Sequence, residues 1–174
     1  MRIMSTDEAA PDRESELAFD LADETATEDL ARRVAKAAGR GDVIGLIGDL
    51  GAGKTVFARA FIRAALASPD EEVPSPTFTL LQTYEAGALT LYHFDLYRID
   101  DPDEALELGI EEAFADGVAL IEWAERLDGR LPADRLEVRL TPGPAAGTRR
   151  ARLTGLGYWR AKLIEGIGDG AIHG

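Results

Sequence analysis

The sequence predicts a three-layer α/β domain around a mixed, partly parallel central sheet, and three observations carry that prediction. Two short unbroken apolar runs, Val43–Ile47 and Val118–Ile121, have the composition of strands buried on both faces. Between and around them helical and strand periodicities alternate, with hairpin signals elsewhere, the pattern of an α/β layer architecture. A glycine-rich segment follows the first run directly and leads into a helical stretch. The length of 174 residues suits one domain. It is expected to occupy residues 15–166, with a flexible acidic tail over 1–14 and a second flexible tail over 167–174.

Taken in order, Ser15–Leu21 places Leu17, Phe19 and Leu21 on one side, a strand alternation. Thr25 with Glu28 three residues on reads as a capping box, and Leu30, Val34 and Ala38 continue at helical spacing. Gly39 and Gly41 are expected to close that helix. After the run Val43–Ile47 and the glycine-rich loop, a helix is expected from about Lys54 to Ala67, offering Phe57, Phe61 and Leu66 for packing. Residues 68–76 hold three prolines and three consecutive acids, so they read as a loop. Phe78–Tyr84 and Leu89–Asp95 flank Glu85-Ala86-Gly87-Ala88 as a hairpin. Asp101-Pro102-Asp103-Glu104 starts a helix, with a cap, a first-turn proline and an acid well placed for the helix dipole. Gly109 and Gly117 then break the chain into short helices. Past Val118–Ile121, Leu136–Leu140 and Thr148–Leu153 form a second hairpin through Pro142-Gly143-Pro144, and Tyr158–Glu165 reads as a last helix.

Composition removes several functions. Nineteen basic against thirty-two acidic residues leave a net charge of −13, which argues against autonomous binding to DNA, RNA or an anionic membrane surface. The only basic region is residues 130–174, with eight basic and four acidic residues, where Arg149, Arg150 and Arg152 cluster. A solvated strand face is the plainer reading of that cluster, and a partner or RNA contact the sharper one. The chain has no cysteine, which excludes disulfides, thiolate metal sites and thiol nucleophiles. Neither apolar run approaches the length of a membrane span, and the first residues are acidic where a signal peptide is basic. A cytoplasmic protein is expected.

The chemistry concentrates in Gly48-Asp49-Leu50-Gly51-Ala52-Gly53-Lys54-Thr55, a full match to the phosphate-binding loop pattern, preceded by a buried strand and followed by a helix. Its glycines let successive backbone N–H groups curl around a phosphate at the positive end of the helix. Lys54 is placed to reach the β- and γ-phosphates of a nucleotide and the Thr55 hydroxyl to hold Mg²⁺. The fold class therefore sharpens to a P-loop NTPase-like domain. Such a site needs a further acid at the C-terminal end of a strand. Asp95 and Glu122 both qualify. Glu122 follows the cleaner apolar strand and reads as the Walker-B-like residue; Asp95 follows a more alternating one and reads equally as a surface cap. Between loop and acids, Ser75-Pro76-Thr77-Phe78-Thr79 is either a γ-phosphate-sensing segment or an ordinary strand entry. Arg98 and Arg126 follow the two acids closely enough to meet phosphate charge, though plain salt bridges are the simpler expectation. Trp123 reads as a packed aromatic before a base-stacking platform. His93, within a strand, and His173, near the end, receive neither a metal nor a catalytic role.

Taken together, Gly48–Thr55, the segment from Ser75 to Leu80, Tyr92-His93-Phe94-Asp95-Leu96-Tyr97-Arg98 and Glu122-Trp123 resemble the bacterial TsaE family in order and spacing, over roughly residues 15–155. The resemblance implies a small P-loop ATPase, weak alone, that takes ATP as substrate with Mg²⁺. It implies support of the TsaB–TsaD complex in forming N6-threonylcarbamoyladenosine (t6A) in tRNA, with tRNA met only indirectly. By the same resemblance, residues Asp49 to Thr55 with Thr77 and Thr79 form the nucleotide site, and Asp95 becomes the Walker-B-like acid. Glu122 becomes a magnesium-linked catalytic carboxylate, so the metal set is Thr55, Asp95 and Glu122 and the catalytic set Lys54, Glu122 and Asp95. The helix start near Thr25 to Thr27 would lie close to the base. The acidic start and the glycine-rich end depart from the family pattern.

Rival nucleotide enzymes fare worse. A Ras-type GTPase reads guanine with Asn-Lys-x-Asp, and this chain has no asparagine. A transporter-type ATPase carries Leu-Ser-Gly-Gly-Gln, which does not occur. The alternative that stays open is a P-loop small-molecule kinase, whose lid arginines would have to be Arg98 and Arg126.

Overall fold

The computed structural model of the chain describes residues 14–168. Its elements are β1 (Ser15–Leu21), α1 (Glu24–Ala37), β2 (Val43–Ile47), α2 (Lys54–Ala65), β3 (Leu81–Ala86), β4 (Leu89–Asp95), α3 (Asp103–Glu107), α4 (Ile110–Asp116), β5 (Val118–Glu122), a 3₁₀ turn (Ala124–Leu127), β6 (Arg135–Pro142), β7 (Arg149–Leu156) and α5 (Trp159–Ile167). The expected tails lie largely outside the described residues, which exclude 1–13 and 169–174; α5 runs on through the buried Ile167.

All seven strands form one sheet in the order β1-β7-β6-β2-β5-β4-β3. The middle is parallel, with β2 paired to both β5 and β6 and β5 paired to β4, while the flanking β1–β7, β6–β7 and β3–β4 pairs are antiparallel. The predicted mixed, partly parallel sheet is therefore what the chain builds. Every residue of β2 and β5 is buried, as the apolar runs Val43–Ile47 and Val118–Ile121 require, and the burial extends to Glu122 at the end of β5. Alternate residues of β2 feed two separate cores. Ile44 and Leu46 pack with Leu30, Val34, Phe57, Phe61 and Trp159 of α1, α2 and α5. Val43 and Ile47 pack with Ala105, Ile110 and Ala113 of α3 and α4. Helices thus cover both faces, which completes the three layers.

Three local expectations shift. The α1 cap is Asp23, whose carboxylate accepts from the Ala26 N–H at 2.9 Å; Thr25 lies inside the helix, and Glu28 instead accepts from Arg32. A carboxylate at the positive end of a helix is a better acceptor than a hydroxyl. Next, Gly39 does not take the left-handed turn: α1 ends in extended Ala38, and only Gly41 has positive φ. Finally, β3 begins at Leu81, because Phe78, Thr79 and Leu80 form a turn closed by the Leu80 N–H to the Pro76 carbonyl at 2.7 Å.

Candidate functional site

The parallel register places the ends of β2, β4 and β5 side by side: Leu46 is opposite Glu122, and Asp95 is opposite Glu122 on the other flank. The glycine-rich loop leaves β2 at this edge. Gly48 is forced there by a close approach, since a Cβ would sit 2.6 Å from the Leu140 carbonyl oxygen of β6. Gly53 caps α2 with φ +107°, a left-handed conformation that glycine takes without strain. A cleft of about 330 Å³ opens between this loop and the strand ends, lined among others by Lys54, Thr55, Thr77, Asp95, Glu122 and Trp123. A larger cleft of about 640 Å³ lies between α1, α2 and the 68–76 loop, away from the strand ends and lined by both signs of charge.

Lys54 is buried, donates to the Gly48 carbonyl and to that of Asp49 at 2.9 Å, and has its ammonium 4.1 Å from the Trp123 ring centroid. Burial lowers its pKa, with Glu122, Glu125, Asp95 and Asp49 pulling the other way. The Thr55 hydroxyl donates to Glu122 Oε1 at 2.8 Å. The second Glu122 oxygen lies 2.7 Å from His93 Nε2, and both side chains are almost wholly inaccessible. A carboxylate oxygen only accepts, so Nε2 carries the shared proton, which leaves Nδ1 buried with no partner.

Asp95 is set differently. One oxygen accepts from the Tyr97 N–H at 3.0 Å and the other from the Thr77 hydroxyl at 3.3 Å, while Thr77 also meets Ser75 at 2.8 Å. Burial pushes its carboxyl pKa up, the Tyr97 hydrogen bond opposes that, and nearby Glu122 adds to it. The two acids that sequence left undivided therefore touch different elements: Glu122 the end of the glycine-rich loop at Thr55, Asp95 the segment after the acidic loop.

The remaining candidates divide. Leu50, Gly51 and Gly53 line the cleft. Asp49 is exposed and accepts from Lys54 through its carbonyl, and Ala52 is buried. Thr79 is exposed and accepts from Gln82 Nε2 at 3.2 Å, because the turn before β3 carries it away from Thr77. Neither Arg98 nor Arg126 makes an ion pair among the described residues. Arg98 stacks on Phe78 at 4.3 Å, and Arg126 lies 5.8 Å from both the Tyr97 and Trp123 rings. Trp123 packs against Tyr97 with centroids 4.9 Å apart and holds φ +60°, a costly backbone conformation in an aromatic residue at the mouth of the cleft. His93 is the residue passed over. Its signal was in the sequence, since His93 and Asp95 are two apart on one strand and so share a face.

Comparison with known proteins points to one family. The family model described as threonylcarbamoyl adenosine biosynthesis protein TsaE matches residues 21–151. Proteins named tRNA threonylcarbamoyladenosine biosynthesis protein TsaE resemble the chain along most of its length. The one from Rickettsia conorii is 44% identical over 120 residues, covering 69% of this chain and 68% of its own. That from Bacillus subtilis is 43% identical, covering 64% and 69%, and that from Nostoc is 39% identical, covering 77% and 83%. The crystal structure of Bacillus subtilis YdiB superposes with a TM-score of 0.73 at 32% identity, over 90% of this chain and 96% of that one.

Proposed function

The chain belongs to the TsaE family, and from that premise we propose that it is a magnesium-dependent ATPase serving t6A formation in tRNA with the TsaB–TsaD pair. The observation that carries the reading is the Thr55–Glu122 hydrogen bond, which joins the phosphate-binding loop to a buried strand-end carboxylate.

The roles follow from the contacts. ATP lays its phosphates along residues 49–55, where backbone N–H groups and the α2 N-terminus meet their charge. Lys54 exchanges the loop carbonyls it now holds for phosphate oxygens, a change favoured because its desolvated ammonium gains a stronger partner. The Thr55 hydroxyl gives its hydrogen to Glu122 and keeps lone pairs for a hard cation, so Thr55, Glu122 and Asp95 suit Mg²⁺. When bound, that ion neutralises phosphate charge and orients the oxygens. In hydrolysis a water oxygen bonds to the γ-phosphorus, the bridge to the β-phosphate breaks, and Glu122 takes the water's proton. Glu122 can do so only if its carboxylate is held in place, and Thr55 and His93 hold one oxygen each. Thr77, bonded to Asp95, reports to the 68–76 loop whether the γ-phosphate is present.

The net charge of −13 suits a protein that meets a protein complex and leaves tRNA to its partners. A cytoplasmic site of action follows from tRNA modification, and no helix among the described residues is long and apolar enough to cross a membrane. The test is phosphate release from Mg·ATP, with and without matched TsaB–TsaD. Slow release that rises sharply with the complex and vanishes in Lys54→Ala is expected. Absence of stimulation together with phosphate transfer to an added metabolite would replace this reading with a small-molecule kinase.

A further inference from the structure

The arginine cluster at the start of β7 is not one feature. Arg150 pairs with Asp20 at 3.0 Å and Arg152 with Glu16 at 3.4 Å, both acids of the neighbouring β1, so these two form the solvated strand face that composition suggests. Arg149 turns the other way. Its Nε donates to the Ala52 carbonyl at 3.2 Å and one terminal nitrogen to the Gly51 carbonyl at 3.1 Å, while the other terminal nitrogen holds the Thr148 carbonyl at 3.0 Å. A residue 97 positions from Ala52 thus grips the back of the phosphate-binding loop.

We propose that Arg149 is a positioning residue that orients the loop's peptides for phosphate, an inference that rests on the nucleotide reading above. In a trans peptide the C=O and the following N–H point in opposite directions. With the Ala52 oxygen held outward by Arg149, the Gly53 N–H is turned toward the inside of the loop. The Gly51 oxygen is held likewise, and the N–H of that peptide closes the turn on the Asp49 carbonyl at 3.0 Å. Both neighbouring glycines have positive φ, +78° at Gly51 and +107° at Gly53, and glycine offers little resistance to a peptide flip. A flip would aim a carbonyl at the phosphate in place of a donor. The arginine fork holds two carbonyls at once, which the point charge of a lysine cannot do in the same geometry. Its own backbone is fixed by pairing with Leu21 on one side and Pro142 on the other, so the grip is anchored in the sheet.

The experiment measures Mg·ATP affinity of the full chain at fixed salt, with the backbone amide resonance of Gly53 in the nucleotide-free protein. Arg149→Gln is expected to weaken binding about tenfold, the scale of losing two charge-assisted hydrogen bonds at a partly exposed position. Arg149→Lys keeps the charge but not the fork and is expected to recover less than half of that loss on a logarithmic scale. The Gly53 resonance should move in both variants, and Arg150→Gln should change neither quantity. If Arg149→Lys binds like the unmodified protein, or Arg150→Gln weakens binding as much as Arg149→Gln, charge alone acts and the positioning role falls. Binding by all variants alike, with an unmoved Gly53 resonance, also overturns it while leaving the nucleotide reading intact. An unmodified protein that binds no Mg·ATP overturns both.

Discussion

Replacing Glu122 separates what this carboxylate does for the fold from what it does for the reaction. In Glu122→Ala the Thr55 hydroxyl and the His93 Nε2–H, now at 2.8 and 2.7 Å from its oxygens, both lose their acceptor; His93 is almost wholly inaccessible, whereas Thr55 is half-buried and lines the cleft. The orphaned His93 donor costs about 1–3 kcal/mol while the Thr55 hydroxyl can turn to the cleft, so a loss of about 1–3 kcal/mol is expected. For a chain of this size that lowers Tm by about 2–12 °C. Glu122→Gln keeps one acceptor for the His93 Nε2–H, and its amide N–H₂ can donate to the Thr55 hydroxyl oxygen, whose own hydrogen turns to the cleft. Both contacts are thereby kept, so the cost falls to about 1 kcal/mol or less. Both variants should lose turnover by about 10²–10⁴-fold, the usual effect of a missing general base, while the Lys54 loop continues to bind nucleotide. Thermal melts and single-turnover phosphate release with TsaB–TsaD give the two quantities. An alanine variant more stable than the glutamine one would refute the hydrogen-bond accounting. Normal turnover in either would refute Glu122 as the base.

Two further outcomes follow from the same geometry. Burial raises the Asp95 carboxyl pKa above its ordinary value, and a folded-state pKa above the unfolded one means that stability is lost as pH rises between the two. Metal-free and nucleotide-free, Asp95→Asn should therefore melt above the unmodified protein at neutral pH, with the gap closing as pH falls toward about 4; a pH-independent gap in the melts would contradict this. For His93, substitution by Phe removes the hydrogen bond to Glu122 and should reduce turnover by about tenfold or more, while His93→Gln, whose amide can donate to the same oxygen, should restore most of it. Equal loss in both, measured at matched stability, would mean that His93 merely fills space.

The parts of the molecule legible in the sequence are those whose cause is local. Val43–Ile47 is apolar at every position, and only a strand covered on both faces needs that. The loop from Gly48 to Thr55 is marked in the chain by the spacing of its glycines, of which Gly51 and Gly53 take positive φ. Where two local choices competed, reading along the chain misplaced details: Asp23 outcompetes Thr25 as the α1 cap, and the turn through Phe78, Thr79 and Leu80 delays β3 and separates Thr79 from Thr77.

The site's partners needed the sheet. Glu122 and Asp95 each end a strand in the sequence, but which of them meets Thr55 depends on β5 lying between β2 and β4, an order with no trace in either strand's composition. The same order brings His93 against Glu122, 29 residues away, and the return of β7 beside β6 brings Arg149 behind Gly51 and Ala52. Arg98 and Arg126, expected on acids, found aromatic faces: Arg98 lies on Phe78 of the turn before β3, and Arg126 on Tyr97 of the segment after β4. Periodicity and steric permission act over a few residues and are written into the chain. Contacts between strands are set by which faces the two cores bury together, and that is decided only when the layers close.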